Sequence, residues 1–315
     1  MIRLEGVTRF YGERAVVDDV SLVVEKGEMA VVVGRSGSGK STLLRMINRL
    51  VEPTSGLISI DGRDVSTVPA HVLRRGIGYV IQGHGLFPHR TVADNIATVP
   101  RLLGWPRDRI ARRVSELLEL LQLSPARFSG QYPHQLSGGE QQRVGVARAL
   151  AAGPDIVLMD EPFGALDPII RSKAQDDLKA IQARLGATIV LVTHDMDEAF
   201  RLGDRIAVME AGRVLQYGTP RDMIARPADP RVAELTGSGE GALRLLALVR
   251  AGDAAEPFDA STPPPSHSVP AGASLREALA SLLWTGEGEL AVTGDDGRPV
   301  GRVTLASVLR HGRSP

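Results

Sequence analysis

One short stretch carries the clearest chemistry in the chain: Gly34, Arg35, Ser36, Gly37, Ser38, Gly39, Lys40, Ser41 and Thr42. It fits the pattern G-x-x-x-x-G-K-[ST], which suits the phosphates of a nucleotide. Glycines let backbone N–H groups turn inward around phosphate oxygens. A helix that begins here aims its positive end at the same anion. Lys40 supplies a compact, flexible charge for the β- and γ-phosphates, and the Ser41 hydroxyl can ligate Mg²⁺. Of the 37 basic residues only Lys26, Lys40, Lys173 and Lys179 are lysines. Lys40 stands where a planar arginine would not readily substitute. A plain glycine turn is the bland alternative; the strand before it and the helix after it argue for a phosphate cradle.

Two acids form the second candidate. Ile156-Val157-Leu158-Met159 reads as a buried strand ending in Asp160-Glu161. In an open α/β sheet, ligands lie beyond the carboxyl ends of the strands. Asp160 is then placed to hold Mg²⁺ through water, and Glu161 to polarise an attacking water. Acids at a strand end are often merely solvated, but a phosphate cradle in the same chain gives these two a task. The third candidate is Leu136-Ser137-Gly138-Gly139-Glu140-Gln141-Gln142-Arg143. A hydroxyl, two glycine amides and a helix N-terminus make another anion site. One chain therefore carries two half-sites for phosphate.

Hydrophobic periodicity predicts the elements that must hold these residues. Leu4, Val7, Val16, Val20, Leu22 and Val24 alternate with polar residues over 1–25. That pattern predicts short antiparallel strands around a Tyr11-Gly12 turn. The unbroken apolar run Met29-Ala30-Val31-Val32-Val33 predicts a buried parallel strand leading into the cradle. Leu43, Leu44, Ile47 and Leu50 then recur at helical spacing, and 188–192 predicts a third buried strand. Strands separated by helical stretches indicate an open α/β sheet. From about residue 91 to 150, helix-period patterns such as Val114, Leu117, Leu118 and Leu121 predict a helical insertion. Past residue 236 the texture changes. Gly237-Ser238-Gly239 reads as a hinge, and Pro263-Pro264-Pro265 as a stiff linker. Beyond it a helix is expected over 274–283, and strands over 290–293 and 300–304. A turn at Asp295-Asp296-Gly297 separates the two strands. The expected division is 1–236, a linker over 237–268, and a small α+β module over 269–315.

The segment Leu136 to Arg143 resembles the signature motif of ATP-binding cassette (ABC) proteins, and the resemblance extends over residues 1–236. It implies an α/β P-loop NTPase fold: a RecA-like core, an antiparallel β subdomain, and a helical subdomain at about 91–150. It implies ATP and Mg²⁺ as cofactors. It also implies a head-to-tail dimer in which Ser137, Gly138 and Gly139 of each copy close over the ATP of the other. Other positions match in order. Tyr11 falls where the family stacks adenine on an aromatic ring. Gln82 is similar to the glutamine that touches Mg²⁺ and the attacking water and senses the membrane subunit. Ala165-Leu166-Asp167 resembles the loop that crosses the dimer interface. His194, within Thr193-His194-Asp195, resembles the switch histidine that contacts the γ-phosphate. The resemblance makes Glu161 the general base, with Lys40 and Mg²⁺ neutralising charge. Two residues depart from the pattern. Glu140 stands where glutamine is usual, expected on the ribose side of the nucleotide, and Gly83 stands where a second glutamine is frequent.

One cassette with no membrane span resembles the separate ATPase subunit of a bacterial importer. Such a subunit works on the cytoplasmic face of the plasma membrane, with permease subunits and, indirectly, a substrate-binding protein. Ile77-Gly78-Tyr79-Val80-Ile81-Gln82, Gly85-Leu86-Phe87-Pro88-His89 and Tyr132-Pro133-His134-Gln135 resemble importers of glycine betaine and other osmoprotectants. Importers of polar amino acids share several of these segments. An ABC ATPase acting on soluble targets is a further alternative. The tail resembles a single cystathionine-β-synthase (CBS) motif, with Ser307 where the family's ribose-binding pattern wants an acid.

Composition narrows the classes. The 37 basic and 37 acidic side chains give a formal net charge of +0, with no basic run. That argues against a nucleic-acid partner. The absence of cysteine excludes a disulfide framework, an Fe–S cluster and a thiolate zinc site. A length of 315 residues predicts about two domains. The apolar runs fall far short of the ~20 residues needed to span a bilayer, and residues 1–10 show no signal-peptide core. A soluble chain that docks by shape and local contacts is expected.

Overall fold

The alternating residues at the start of the chain form β1 (Ile2–Tyr11) and β2 (Arg14–Val24), an antiparallel pair that turns at Gly12. β3 (Met29–Val33) is buried at every position, as its unbroken apolar run predicts. α1 (Lys40–Ile47), β4 (Ser55–Ile60), β5 (Arg63–Asp64), α2 (Ala70–Gly76) and β6 (Ile77–Val80) follow. The expected helical insertion comes next. It consists of α3 (Val92–Ile96), α4 (Thr98–Leu102), α5 (Arg107–Leu120), α6 (Pro125–Phe128) and α7 (Gly138–Leu150). The chain returns through β7 (Ile156–Asp160), α8 (Pro168–Leu185), β8 (Thr188–Thr193), α9 (Met196–Leu202), β9 (Arg205–Glu210) and β10 (Arg213–Gly218). This computed structural model describes every residue except His84, Ala165, 238–240, 259–264 and 313–315.

Two sheets result. One is antiparallel, in the order β2-β1-β4-β5. The other runs β10-β9-β3-β8-β7-β6, with every pair from β9 to β6 parallel. Both contribute to one core, where Leu4 and Val7 of β1 join Val32 of β3, Leu43 and Leu44 of α1, and Val190 of β8. Burying each such side chain stabilises the fold by about 1.5–3 kcal/mol. The cradle between β3 and α1 is therefore anchored at both ends.

The parallel strands position the site. β3, β8, β7 and β6 are consecutive neighbours, so their carboxyl ends lie along one edge of the sheet. Gly34 follows β3, His194 follows β8, Glu161 follows β7, and Gln82 comes two residues after β6.

Residues 218–315 form a second compact unit. It holds α10 (Pro220–Ala225), α11 (Pro230–Thr236), α12 (Gly241–Ala247), β11 (Ser268–Pro270), α13 (Leu275–Thr285), β12 (Glu289–Thr293), β13 (Pro299–Thr304) and α14 (Leu305–His311). β11 pairs parallel to β12, and β12 pairs antiparallel to β13. The two strands read from the tail sequence lie within β12 and β13, and the helix read over 274–283 overlaps α13, with Ser274 as its N-cap. The division between units differs from the one read at 236: it falls between Tyr217 and Gly218. The cause is that α10 packs against α11 and α12. The stretch read as a linker also differs in part. Leu246, Ala251 and Ala254 are buried in the tail core, and Glu256 bridges to Arg302. Alanine and glycine leave those turns no periodicity to read. Ser238, Gly239, Pro263 and Pro264, from the expected hinge and linker, lie outside the described residues. Ser307 is buried in a reciprocal cap: its N–H donates to the Thr304 hydroxyl, and its own hydroxyl accepts from the Thr304 N–H. Among the described residues, no helix is long and apolar enough to cross a membrane.

Candidate active site

Neighbouring strands shape the cradle as much as its own glycines do. Gly37 (φ +78°) and Gly39 (φ +103°) are left-handed. A Cβ on Gly34 would lie 2.0 Å from the Met209 carbonyl oxygen of β9, and one on Gly39 would lie 2.2 Å from the Val16 carbonyl oxygen of β2. A Cβ on Gly37 would meet nothing within 4 Å. The two glycines that the pattern requires are thus the ones pressed against other backbones. Arg35, Ser36 and Gly37 form an exposed rim, while Ser38, Gly39 and Lys40 are buried. Gly39 begins α1 without a side-chain cap. The first-turn N–H groups at Lys40, Ser41 and Thr42 have no intrahelical partner, which leaves them available to an anion.

Lys40 Nζ donates to the Gly34 and Arg35 carbonyl oxygens at 2.8 and 2.9 Å. Burial pulls its pKa below the ordinary lysine value, against the opposite pull of the Glu161 and Asp160 carboxylates. Ser41 Oγ donates to Asp160 Oδ1 at 2.7 Å, joining α1 to the end of β7. Asp160 is fully buried; its Oδ2 has no hydrogen-bond partner and lies 3.6 Å from the Arg45 guanidinium. Such an oxygen suits a further cation. Among the described residues, no cluster of three or more His, Cys, Asp or Glu forms a protein cage. One hydroxyl and one carboxylate fit Mg²⁺, which keeps several waters and shares its shell with phosphate oxygens.

Glu161 has φ +46°, uncommon for a residue other than glycine. Its N–H donates to the Val192 carbonyl of β8 at 2.9 Å. On its side chain, Gln82 Nε2 donates to Oε2 at 3.1 Å, and His194 Nδ1 lies 3.5 Å from Oε1. Residues beyond the ends of three strands therefore meet on one carboxylate. A cavity of about 310 Å³ opens beside them, lined by Gln82, Gly83, Gln142, Glu161, Gly164 and His194. That is the lower end of the volume range for small-ligand sites.

The sequence profile described as ABC transporter matches residues 17–164. The chain is also 45% identical over 309 residues to the glycine betaine uptake system ATP-binding protein YehX of Escherichia coli (strain K12), covering 98% of this chain and 99% of the relative. The chain belongs to the ABC transporter family. It is 44% identical over 308 residues to the osmoprotectant import ATP-binding protein OsmV of Salmonella typhimurium, covering 96% of this chain and 79% of the relative. Among solved structures it is similar to the dimeric post-hydrolysis state of the ATP-binding cassette MJ0796 bound to ADP and Pi. That match has 36% identity and a TM-score of 0.62, over 70% of this chain and 98% of the other.

The other cassette motifs have their own local logic. Ser137 caps α7: its Oγ accepts from the Glu140 N–H at 3.4 Å. The Glu140 carboxylate folds back to accept from the Ser137 N–H at 2.8 Å and its hydroxyl at 2.9 Å. Burial works to raise the Glu140 carboxyl, but the Ser137 hydrogen bonds, with Arg127 and Arg143, hold it below its ordinary value. Gly138 is open, whereas a Cβ on buried Gly139 would lie 2.9 Å from Ile170 Cγ2. One signature glycine leaves access, and the other lets α7 pack on α8. Asp167 caps α8, accepting from the Ile169 and Ile170 N–H groups at 3.1 Å; Ala165 lies outside the described residues. Tyr11 is exposed, with the Arg9 guanidinium 4.7 Å from its ring centroid. Gly83 has φ +73°, a conformation that glycine adopts freely and glutamine does not.

Sequence reasoning missed two residues. Gln142 is buried and donates from Nε2 to the Pro162 carbonyl, beside Glu161. Arg45 faces Asp160. Helical spacing was the available signal: Gln142 lies three residues past Gly139, and Arg45 four past Ser41, each pair on one helix face.

Proposed function

We propose that the chain is the ATP-hydrolysing subunit of an ABC importer that powers uptake of an osmoprotectant such as glycine betaine, choline, carnitine or proline betaine. The meeting of Gln82, Glu161 and His194 on one carboxylate beside the Lys40 cradle carries the ATPase reading. The solute reading is supported by the relatives, one of them matched over 99% of its length.

ATP places its phosphates against Gly34, Arg35, Ser36, Gly37, Ser38 and Gly39. Lys40 Nζ leaves two carbonyl oxygens for the β- and γ-phosphates, and the first-turn N–H groups of α1 donate to the same oxygens. Ser41, Asp160 and Gln82 would hold Mg²⁺, which would supply positive charge to offset that of the phosphates. Glu161 takes the proton of the water that attacks the γ-phosphate. Gln82 and His194 fix its carboxylate from two sides, and His194 contacts the γ-phosphate. Adenine stacks on the Tyr11 ring. Ser137, Gly138 and Gly139 close over the ATP of a second copy, head to tail, with Asp167 at the interface. Ser137 must then direct its hydroxyl from Glu140 to a phosphate. Hydrolysis reopens the pair. This cycle drives integral-membrane permease subunits, supplied by a substrate-binding protein, from the cytoplasmic face of the plasma membrane. The tail reads as one CBS-like module that serves packing or dimerisation. No nucleic-acid partner is proposed, in keeping with the net charge of +0.

The test is reconstitution in proteoliposomes with the cognate permease and binding protein. Labelled glycine betaine should accumulate only with ATP on the cassette side. Uptake of a polar amino acid without any quaternary amine would overturn the solute reading, and absence of hydrolysis would overturn the enzyme reading.

A further inference from the structure

α8 starts just after its cap Asp167, and two of its residues reach the segment that carries His194. Arg171 Nη2 donates to the Leu166 carbonyl at 3.0 Å, while Nη1 lies 3.5 Å from Asp195 Oδ2. Asp195 directly follows His194 and caps α9, its Oδ1 accepting from the Asp197 and Glu198 N–H groups at 2.9 and 3.2 Å. One guanidinium therefore grips the loop before α8 with one arm and the neighbour of His194 with the other. A second tie lies one turn along. Buried Gln175 donates to Glu198 Oε1 at 3.4 Å, and Glu198 accepts from the hydroxyl of Thr193, the residue before His194. Both chain neighbours of His194 are thus tied to α8.

We propose that Arg171 is a positioning residue that couples the loop at Leu166-Asp167 to His194, so that pairing of two copies at this loop sets the imidazole on the γ-phosphate. This rests on the ATPase reading above. The side chains of Arg171 and Asp195 are 32% and 35% exposed, and ion pairs with that much solvent access add little to stability. Geometry is what the pair supplies. A planar fork can hold a carbonyl and a carboxylate at once, whereas a lysine ammonium presents a single point.

The test uses the full chain and measures kcat, KM and nucleotide affinity separately. Asp195→Asn keeps an oxygen to cap α9 but loses the charge that faces Arg171. Arg171→Gln, Arg171→Lys and Asp195→Asn should each lower kcat roughly tenfold, a coupling within the range seen between contacting residues. Nucleotide affinity and unfolding temperature should not change. The Arg171→Gln/Asp195→Asn double variant should be no worse than either single one. In single-turnover hydrolysis, adding Arg171→Gln to His194→Ala should cause no further loss. Losses that multiply in either combination would overturn the coupling, as would an unchanged kcat in Arg171→Gln. An unchanged kcat in His194→Ala would instead overturn the role of His194, and the coupling with it.

Discussion

Replacing Gly39 with alanine should damage the cradle far more than replacing Gly37, although both glycines have positive φ. At Gly37 (φ +78°) the added methyl enters open space, so the penalty is that of a left-handed L-residue, roughly 1–2 kcal/mol. Gly39→Ala carries at least that backbone penalty at φ +103° and adds a collision. The methyl would lie 2.2 Å from the Val16 carbonyl oxygen and 2.9 Å from Met209 Cε. The methionine tail can swing away, but a strand carbonyl cannot. Overpacking of this kind adds about 1–3 kcal/mol. The excess over Gly37→Ala corresponds to roughly a fivefold to 150-fold change in an equilibrium constant. If the loop moves to relieve the collision, the excess appears as weaker nucleotide binding, because the first turn of α1 moves with it. If the loop holds, it appears as lost stability. Titration with a fluorescent ATP analogue and urea unfolding of the free protein together capture both. A combined loss in Gly37→Ala equal to that in Gly39→Ala would refute the claim that packing against Val16, beyond the backbone angle, requires glycine there.

Three further outcomes are expected. Glu161→Gln keeps the shape of the side chain but cannot take a proton, so ATP binding should persist while hydrolysis falls by ~10² or more; an unchanged rate in a phosphate-release assay would refute the base assignment. Burial raises the Glu198 carboxyl above its ordinary value of 4.5. The folded state then holds this proton more tightly than the unfolded chain, and stability falls as pH rises from 4.5 through the raised value. Glu198→Gln should flatten that fall in unfolding temperatures measured across the window, and an unaltered slope would count against it. In the tail, Leu290 is fully buried and Trp284 is 92% exposed. Leu290→Ala should lower stability by about 2–5 kcal/mol, and Trp284→Ala should stay within about 0.5 kcal/mol, both read by urea unfolding. A destabilised Trp284→Ala would mean that the ring is covered in solution.

The cradle, the acids at the end of β7 and the signature were legible because each is a contiguous run whose chemistry is set by a few adjacent backbone units. β3, β7 and β8 were legible as apolar runs because a strand buried on both faces needs apolar residues throughout. The helices of the insertion announced themselves by their period. Other features left no such trace. The boundary at Tyr217 depends on which partner α10 packs against, and glycine and alanine around residues 251–255 carry no pattern. Glu140 looked like a charge facing the nucleotide, but a free serine N–H and hydroxyl three residues away captured it.

By itself, then, the sequence determined the catalytic vocabulary: a lysine in a glycine loop, acids at a strand end, a glutamine, a histidine and a second anion site. Tertiary structure alone decided their convergence. Ser41 and Asp160 are 119 residues apart in the chain, and Gln82 and Glu161 are 79 apart. They meet because the strand order β3-β8-β7-β6 brings four carboxyl ends to one edge. The same non-local packing recruited Gln142, Arg45 and Arg171, whose partners lie on other elements. A local pattern reports what a residue can do, whereas strand pairing and side-chain packing determine what it can reach.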